Sequence, residues 1–188
     1  MLKTQKKAQT ALAISNAKQI DIALMSFESD YGSYPNDKTA DTVKENTNTR
    51  LDLGNTTSND YFRQLIAAKY CDDERSFYAH IAGTHKPDNN TNGSHCLEAG
   101  ECAFTYVLGL TSSDDGATPI LLTPMIPGTT TFDPQPFDRK AVVVHLDHTV
   151  TAEPIDATGH IIVNGMDLFD PHQPFWHGKT PQLRYPKL

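Results

Sequence analysis

The stretch Asn16-Ala17-Lys18-Gln19-Ile20-Asp21-Ile22-Ala23-Leu24-Met25-Ser26-Phe27-Glu28-Ser29-Asp30-Tyr31-Gly32-Ser33-Tyr34-Pro35 decides the fold. Ile20, Ala23, Leu24, Phe27 and Tyr31 recur at steps of three and four, which places them on one face of a helix. Gly32 can take the left-handed position that closes a helix, and Pro35 forbids its continuation, so Tyr31-Gly32-Ser33-Tyr34-Pro35 reads as the helix-end turn. Upstream, Thr4 to Asn16 is rich in Ala, Lys and Gln, with strong helix propensity and little to bury. The pattern predicts a helix over residues 4–27 whose first half projects as a stalk. Ile20, Leu24 and Phe27 are expected to pack on a sheet, with Leu12 and Ile14 exposed. No Ser, Thr or Asp cap precedes the periodic positions, which leads to the expectation that an upstream piece of the natural chain is missing.

Downstream, residues 36–57 are polar and almost free of large apolar side chains, and are expected to be an exposed loop with at most one short strand or turn. Ser58-Asn59-Asp60 can cap a second helix that carries Phe62, Leu65 and Ile66 at helical spacing as far as Tyr70. Residues 83–101 are turn-rich and read as a second exposed loop. The pattern then changes to short β-like runs: 103–110, 119–122, 141–146, 149–152 and 160–163. Pro124, Pro127, Pro134 and Pro136 make the segment between the second and third runs a loop, since proline cannot serve a central ladder. Helices followed by strands give an α+β fold, the long N-terminal helix packed on an antiparallel sheet in a loop-rich head. The division expected is a stalk helix and turn at 1–35 and a head at 36–188, the two sharing one core. A chain of 188 residues is long enough for one such core and short for two.

Composition excludes several function classes. The net charge of −7 argues against nucleic acid as a partner, because phosphate binding needs clustered Lys and Arg. The one dense basic cluster is Lys3, Lys6 and Lys7, suited to an anionic membrane surface or simply to a solvated helix end. No run of about 18 apolar residues occurs. Among the three cysteines, Cys96 and Cys102 flank a Gly-containing segment that can close a disulfide ring in an oxidising compartment, leaving Cys71 as a small buried hydrophobe.

Three segments together resemble a known family. They are Asn16 to Pro35; Phe104-Thr105-Tyr106-Val107-Leu108-Gly109-Leu110-Thr111 with Pro119-Ile120-Leu121-Leu122; and Ala141-Val142-Val143-Val144-His145-Leu146-Asp147-His148-Thr149-Val150. The first looks like the stalk-to-loop passage of type IV pilins and type II secretion pseudopilins, especially the bacterial group with a prepilin-type cleavage and methylation segment. The second resembles that group's paired strands. The third is similar to its late hairpin, with His148 where Gly is usual. The resemblance covers about half of the chain. It implies a structural subunit or accessory protein of a cell-envelope filament or secretion system, with other pilin-like subunits or secretion components as partners. It further implies a precursor anchored in the inner membrane by a leader and about twenty apolar residues. None stands in this sequence, so on this resemblance the chain is the soluble part, facing periplasm or cell surface, and Met1 is an added start.

Chemical motifs are sparse. His145 and Asp147 alternate onto one face of a strand and are weak metal-ligand candidates, two ligands being too few without a distant His160, His172 or His177. Asp114-Asp115-Gly116 is a fragment of a calcium loop, reading more simply as a β-turn. Asp156-Ala157-Thr158-Gly159 echoes an aspartic-protease loop but has no partner. Cys71 and His80 lack an activating third group. Phe169, Phe175, Trp176 and Tyr185 are expected to pack the C-terminus down. No catalytic constellation and no cofactor is assigned, calcium being the single weak candidate. A secreted Asp/His-dependent hydrolase, with or without a metal, and a surface-binding module acting through residues 83–101 stand as the alternatives.

Overall fold

The computed structural model describes residues 3–188, so Met1, the expected added start, lies outside the described residues. The elements run α1 (Lys3–Tyr31), α2 (Asp37–Thr47) and α3 (Ser58–Ala67), then β1 (Thr105–Leu108), β2 (Pro119–Thr123), β3 (Lys140–His145), β4 (Val150–Pro154), β5 (Ile162–Val163), β6 (Met166–Asp167) and β7 (Gln182–Arg184). This is an α+β fold. Five strands form one antiparallel sheet in the order β4-β3-β2-β1-β7, and β5 and β6 form a separate pair.

α1 spans 29 residues, about 43 Å at 1.5 Å per residue. It ends as its sequence dictates: Gly32 takes φ 78° and its N–H donates to Glu28 O at 2.8 Å. Ala13, Ala17, Ile20, Leu24 and Phe27 are fully buried, and the helix packs on β3 and β4. Tyr34 is buried, and the carbonyl of Pro35 accepts from Tyr106 Oη at 2.8 Å, fixing the helix-end turn onto β1.

β2 is buried at every residue and β3 from Ala141 to Val144, so both faces of the sheet centre are covered. α1 supplies one layer. The C-terminal aromatics supply another: Phe169 stacks between Phe132 and Trp176, the Trp176 indole N–H donates to Leu168 O at 2.8 Å, and Thr118 Oγ1 donates to Phe175 O at 3.0 Å.

Two expectations need correction. Residues 36–57 are not an extended loop, since they contain α2. The Asn36 side chain accepts from the Lys38 and Thr39 amides at 2.8 and 3.1 Å, and Thr39 Oγ1 accepts from the Asn36 N–H at 2.8 Å, a capping box. Only Thr39, Ala40 and Val43 of that helix are buried, which leaves too thin an apolar stripe to read from periodicity. The other correction concerns the stalk. Lys3 to Leu12 contain no buried residue, yet Lys6 and Gln9 border a groove against His80, Ile81, Asp133 and Pro136. This part of α1 therefore lies along the rim of the head, with Lys6 and Gln9 turned toward it.

α3 is buried along its whole length although half its residues are polar. Asp60 Oδ2 caps the helix by accepting from the Thr56 and Thr57 amides, both at 2.9 Å. Arg63 Nη1 pairs with Asp60 Oδ1 at 2.7 Å. The same guanidinium donates to the carbonyls of Cys96, Leu97 and Asp52 at 2.8, 3.0 and 3.2 Å. Asn59 Nδ2 donates to Leu97 O at 2.9 Å, and its Oδ1 accepts from the Lys187 N–H at 2.9 Å. The polar side of α3 thus satisfies the buried backbone of the 83–101 segment and of the C-terminus.

Candidate functional site

The face of α1 opposite the core is the most distinctive surface. Leu12, Ile22 and Met25 are 44%, 51% and 42% exposed, three of the six large hydrophobic side chains left exposed among the described residues. Ile22 and Met25 are one turn apart and share a face. Ile20, Leu24 and Phe27 turn inward to the sheet, and Ile14 is half-buried against the core rather than exposed as expected. The sequence placed Leu12 outside correctly by its position, but assigned no role to Ile22 and Met25, which break the inward periodicity.

His145 and Asp147 do not build a metal site. His145 Nδ1 lies 2.8 Å from Ala117 O, and Asp147 Oδ1 accepts from the Thr149 N–H at 3.0 Å and its hydroxyl at 2.6 Å, so His145 is engaged with the loop before β2 and Asp147 with its own turn. The Thr149 contacts hold the Asp147 carboxyl below its ordinary value. No third ligand arrives: His160 sits against Asp167, His172 against Asp170 and His177 against Asp115. His148 takes φ 67° in the place where the resembling hairpins carry Gly, and its Nδ1 faces the Asp21 carboxylate of α1 at 3.2 Å. The left-handed backbone costs about 1 kcal/mol, and the hydrogen bond from hairpin to helix is what a glycine would forgo. Burial raises the Asp21 carboxyl above its ordinary value, and His148 offsets part of that rise.

The other sequence motifs resolve into turns. Asp114 pairs with Lys179, and Asp115 Oδ1 accepts from the Ala117 N–H at 2.9 Å, so the calcium-loop fragment is internally engaged. Asp156 Oδ1 accepts from the amides of Thr158 and His160 at 2.8 and 2.9 Å, which makes Asp156 to Gly159 a closed turn. Cys71 is pushed up to about 12 by burial, while His80 faces Tyr78. The 83–101 segment carries none of the exposed large hydrophobics among the described residues, and Cys96, Leu97 and Glu101 within it are buried.

The expected Cys96–Cys102 ring is not closed, and all three cysteines are free thiols. Cys102 Sγ lies 3.7 Å from both Ser58 Oγ and Phe104 O. Burial pushes the Cys96 thiol up to about 12 and the Cys102 thiol up to about 11. Thiolate is the reactive form. Titration with a thiol reagent at pH 8 is therefore expected to be slowed on the native protein by about 100-fold or more relative to the unfolded chain. Unfolding without reductant should expose all three thiols; finding one would show that the ring forms.

One acidic group converges that no sequence motif announced. Glu74, Asp88 and Glu101 each offer a carboxylate oxygen within 4.8 Å of the others, the one such group of three or more metal-ligating side chains among the described residues. Burial raises the Glu74 carboxyl, the Leu97 amide and more weakly the Asn89 amide oppose the rise, and Glu101 and Asp88 reinforce it. The three come from a turn after α3 and from both ends of the 83–101 segment, so no short spacing could reveal them.

No protein-family model, curated protein or solved structure matches this chain.

Proposed function

We propose that the chain is a structural subunit of a cell-envelope assembly of the pilin or pseudopilin type, with α1 as the element through which copies or related subunits bundle. The observation that carries this reading is the two-sided character of α1. Its inner face is sealed into the sheet, while its outer face presents Leu12, Ile22 and Met25 along a helix of 29 residues. An exposed apolar pair one turn apart, Ile22 and Met25, on a long helix is a place where another helix can pack. The resemblance of Asn16–Pro35 and of the β3–β4 hairpin to that family supports the same reading, with the cell envelope as the expected location. Among the described residues no helix is long and apolar enough to cross a membrane, so attachment there would rest on other segments or on partners.

The test is a double substitution, Ile22→Glu with Met25→Glu. Both side chains are exposed, so thermal stability should change by no more than about 0.5 kcal/mol. Sedimentation of the wild-type chain should show weak, concentration-dependent association, and the double variant should weaken it at least about tenfold, because paired acidic residues would face one another in the bundle. A wild-type chain that stays monomeric at millimolar concentration, with a variant indistinguishable from it, would remove the basis of the proposal.

A further inference from the structure

The Glu74–Asp88–Glu101 group has a feature that a solvated acidic patch lacks. Glu74 is 0% exposed, and its two oxygens are unequally treated. Oε1 accepts the Leu97 N–H at 2.5 Å, whereas Oε2 is buried with no hydrogen-bond partner. A buried carboxylate oxygen without a donor carries a large desolvation cost. The side chains around it make the cost larger, since two further carboxylates each place an oxygen within 4.8 Å. Glu101 is 1% exposed and held by the Asp88 N–H at 3.1 Å and the Glu98 N–H at 2.7 Å. Asp88 is exposed and leaves a path from solvent. Backbone amides thus orient two of the carboxylates, and among the described residues none of the three is in an ion pair.

We propose that Glu74, Asp88 and Glu101 bind a divalent cation of the calcium type. The donors are oxygen only, without His or Cys, which selects a hard ion over zinc or copper. Three carboxylates from separate loop segments, with water filling the remaining positions, suit the flexible six- to eight-fold shell of calcium better than the strict octahedron of magnesium. The ion would supply Oε2 with the partner it lacks. It would also tie both ends of the 83–101 segment to the turn that follows α3, next to the carbonyls that Arg63 holds. This inference is independent of the assembly reading.

The experiment strips the protein with EDTA and follows its melting temperature with added calcium chloride, with calorimetric titration alongside. At a calcium concentration about 100 times the dissociation constant the midpoint should rise by roughly 5–10 °C. Magnesium at the same concentration should give a smaller rise. Asp88→Asn, at an exposed position, should fold normally and lose most of the rise, and Glu74→Gln should lose it as well. No shift and no heat of binding up to about 10 mM calcium, about tenfold above the dissociation constants of the weakest calcium modules, would overturn the proposal. So would a rise that survives undiminished in the Asp88→Asn variant, which folds whether or not Glu74→Gln does.

Discussion

Arg63→Ala is expected to lower the unfolding free energy by about 3–5 kcal/mol, read as a fall in thermal midpoint of roughly 6–20 °C. The side chain is 8% exposed and donates to Asp60 and to the carbonyls of Asp52, Cys96 and Leu97. Removing it leaves a buried carboxylate without its counter-charge and the Cys96 and Asp52 carbonyls without this donor, while Leu97 O keeps only Asn59. Arg63→Lys should recover less than half of the loss, since an ammonium cannot fork toward acceptors on different segments. The pH dependence follows from Asp60. Burial by itself would raise this carboxyl, but the Thr57 and Thr56 amides, the Thr56 hydroxyl and Arg63 outweigh it, and the net displacement is below 3.8. A folded value below the unfolded one means that the stabilisation is present above about pH 3.8 and is lost as pH falls through the lower folded value. The acid limb of a urea-unfolding series should therefore be shallower in Arg63→Ala than in wild type. A variant melting within 2–4 °C of wild type, the span of about 1 kcal/mol for a chain this size, would show that the α3 hub contributes little.

That hub also marks the limit of what the sequence makes legible. α1, its Gly32 stop, and β2 and β3 follow from periodicity, from Pro35 and from the Val142-Val143-Val144 run, because each is dictated by residues close in sequence. α3 was recognisable by its Phe62, Leu65 and Ile66, although it ends at Ala67 and not at Tyr70. The 83–101 segment looks solvated because its composition is polar and turn-rich. Its Cys96-Leu97 stretch is buried, and Asn59 and Arg63 supply donors to those carbonyls from a distant helix. β7 escaped notice for a similar reason. Its pairing with β1 is made by backbone groups at the sheet edge, between Pro181 and Pro186, and needs no alternating apolar pattern. The acidic group is the extreme case, since three carboxylates meet through the packing of separate loops. What was legible in the candidate interaction face was the helix itself. Which apolar residues are left over on its outside depends on how wide a stripe the sheet can cover.

A pair of substitutions on α1 measures that division directly. Phe27→Ala is expected to cost about 3–5 kcal/mol. The ring is fully buried, stacks on Tyr31 at a centroid distance of 4.4 Å and meets Tyr70 edge-on at 5.8 Å. Its loss leaves a cavity where the end of the helix, the Gly32 turn and the residues following α3 come together, and the surrounding aromatics are too constrained to refill it. Ile22→Ala, on the same helix but 51% exposed, is expected to change stability by no more than about 0.5 kcal/mol in dilute solution. Chemical denaturation of the two variants, analysed with a common slope, reads the contrast. Equal losses at both positions would mean that the outer face is covered in the isolated chain, and the assembly proposal would lose the free surface on which it stands. A large loss at Phe27 with none at Ile22 would leave one helix with two separable tasks, holding the head together on its inner side and offering Leu12, Ile22 and Met25 to a partner on the other.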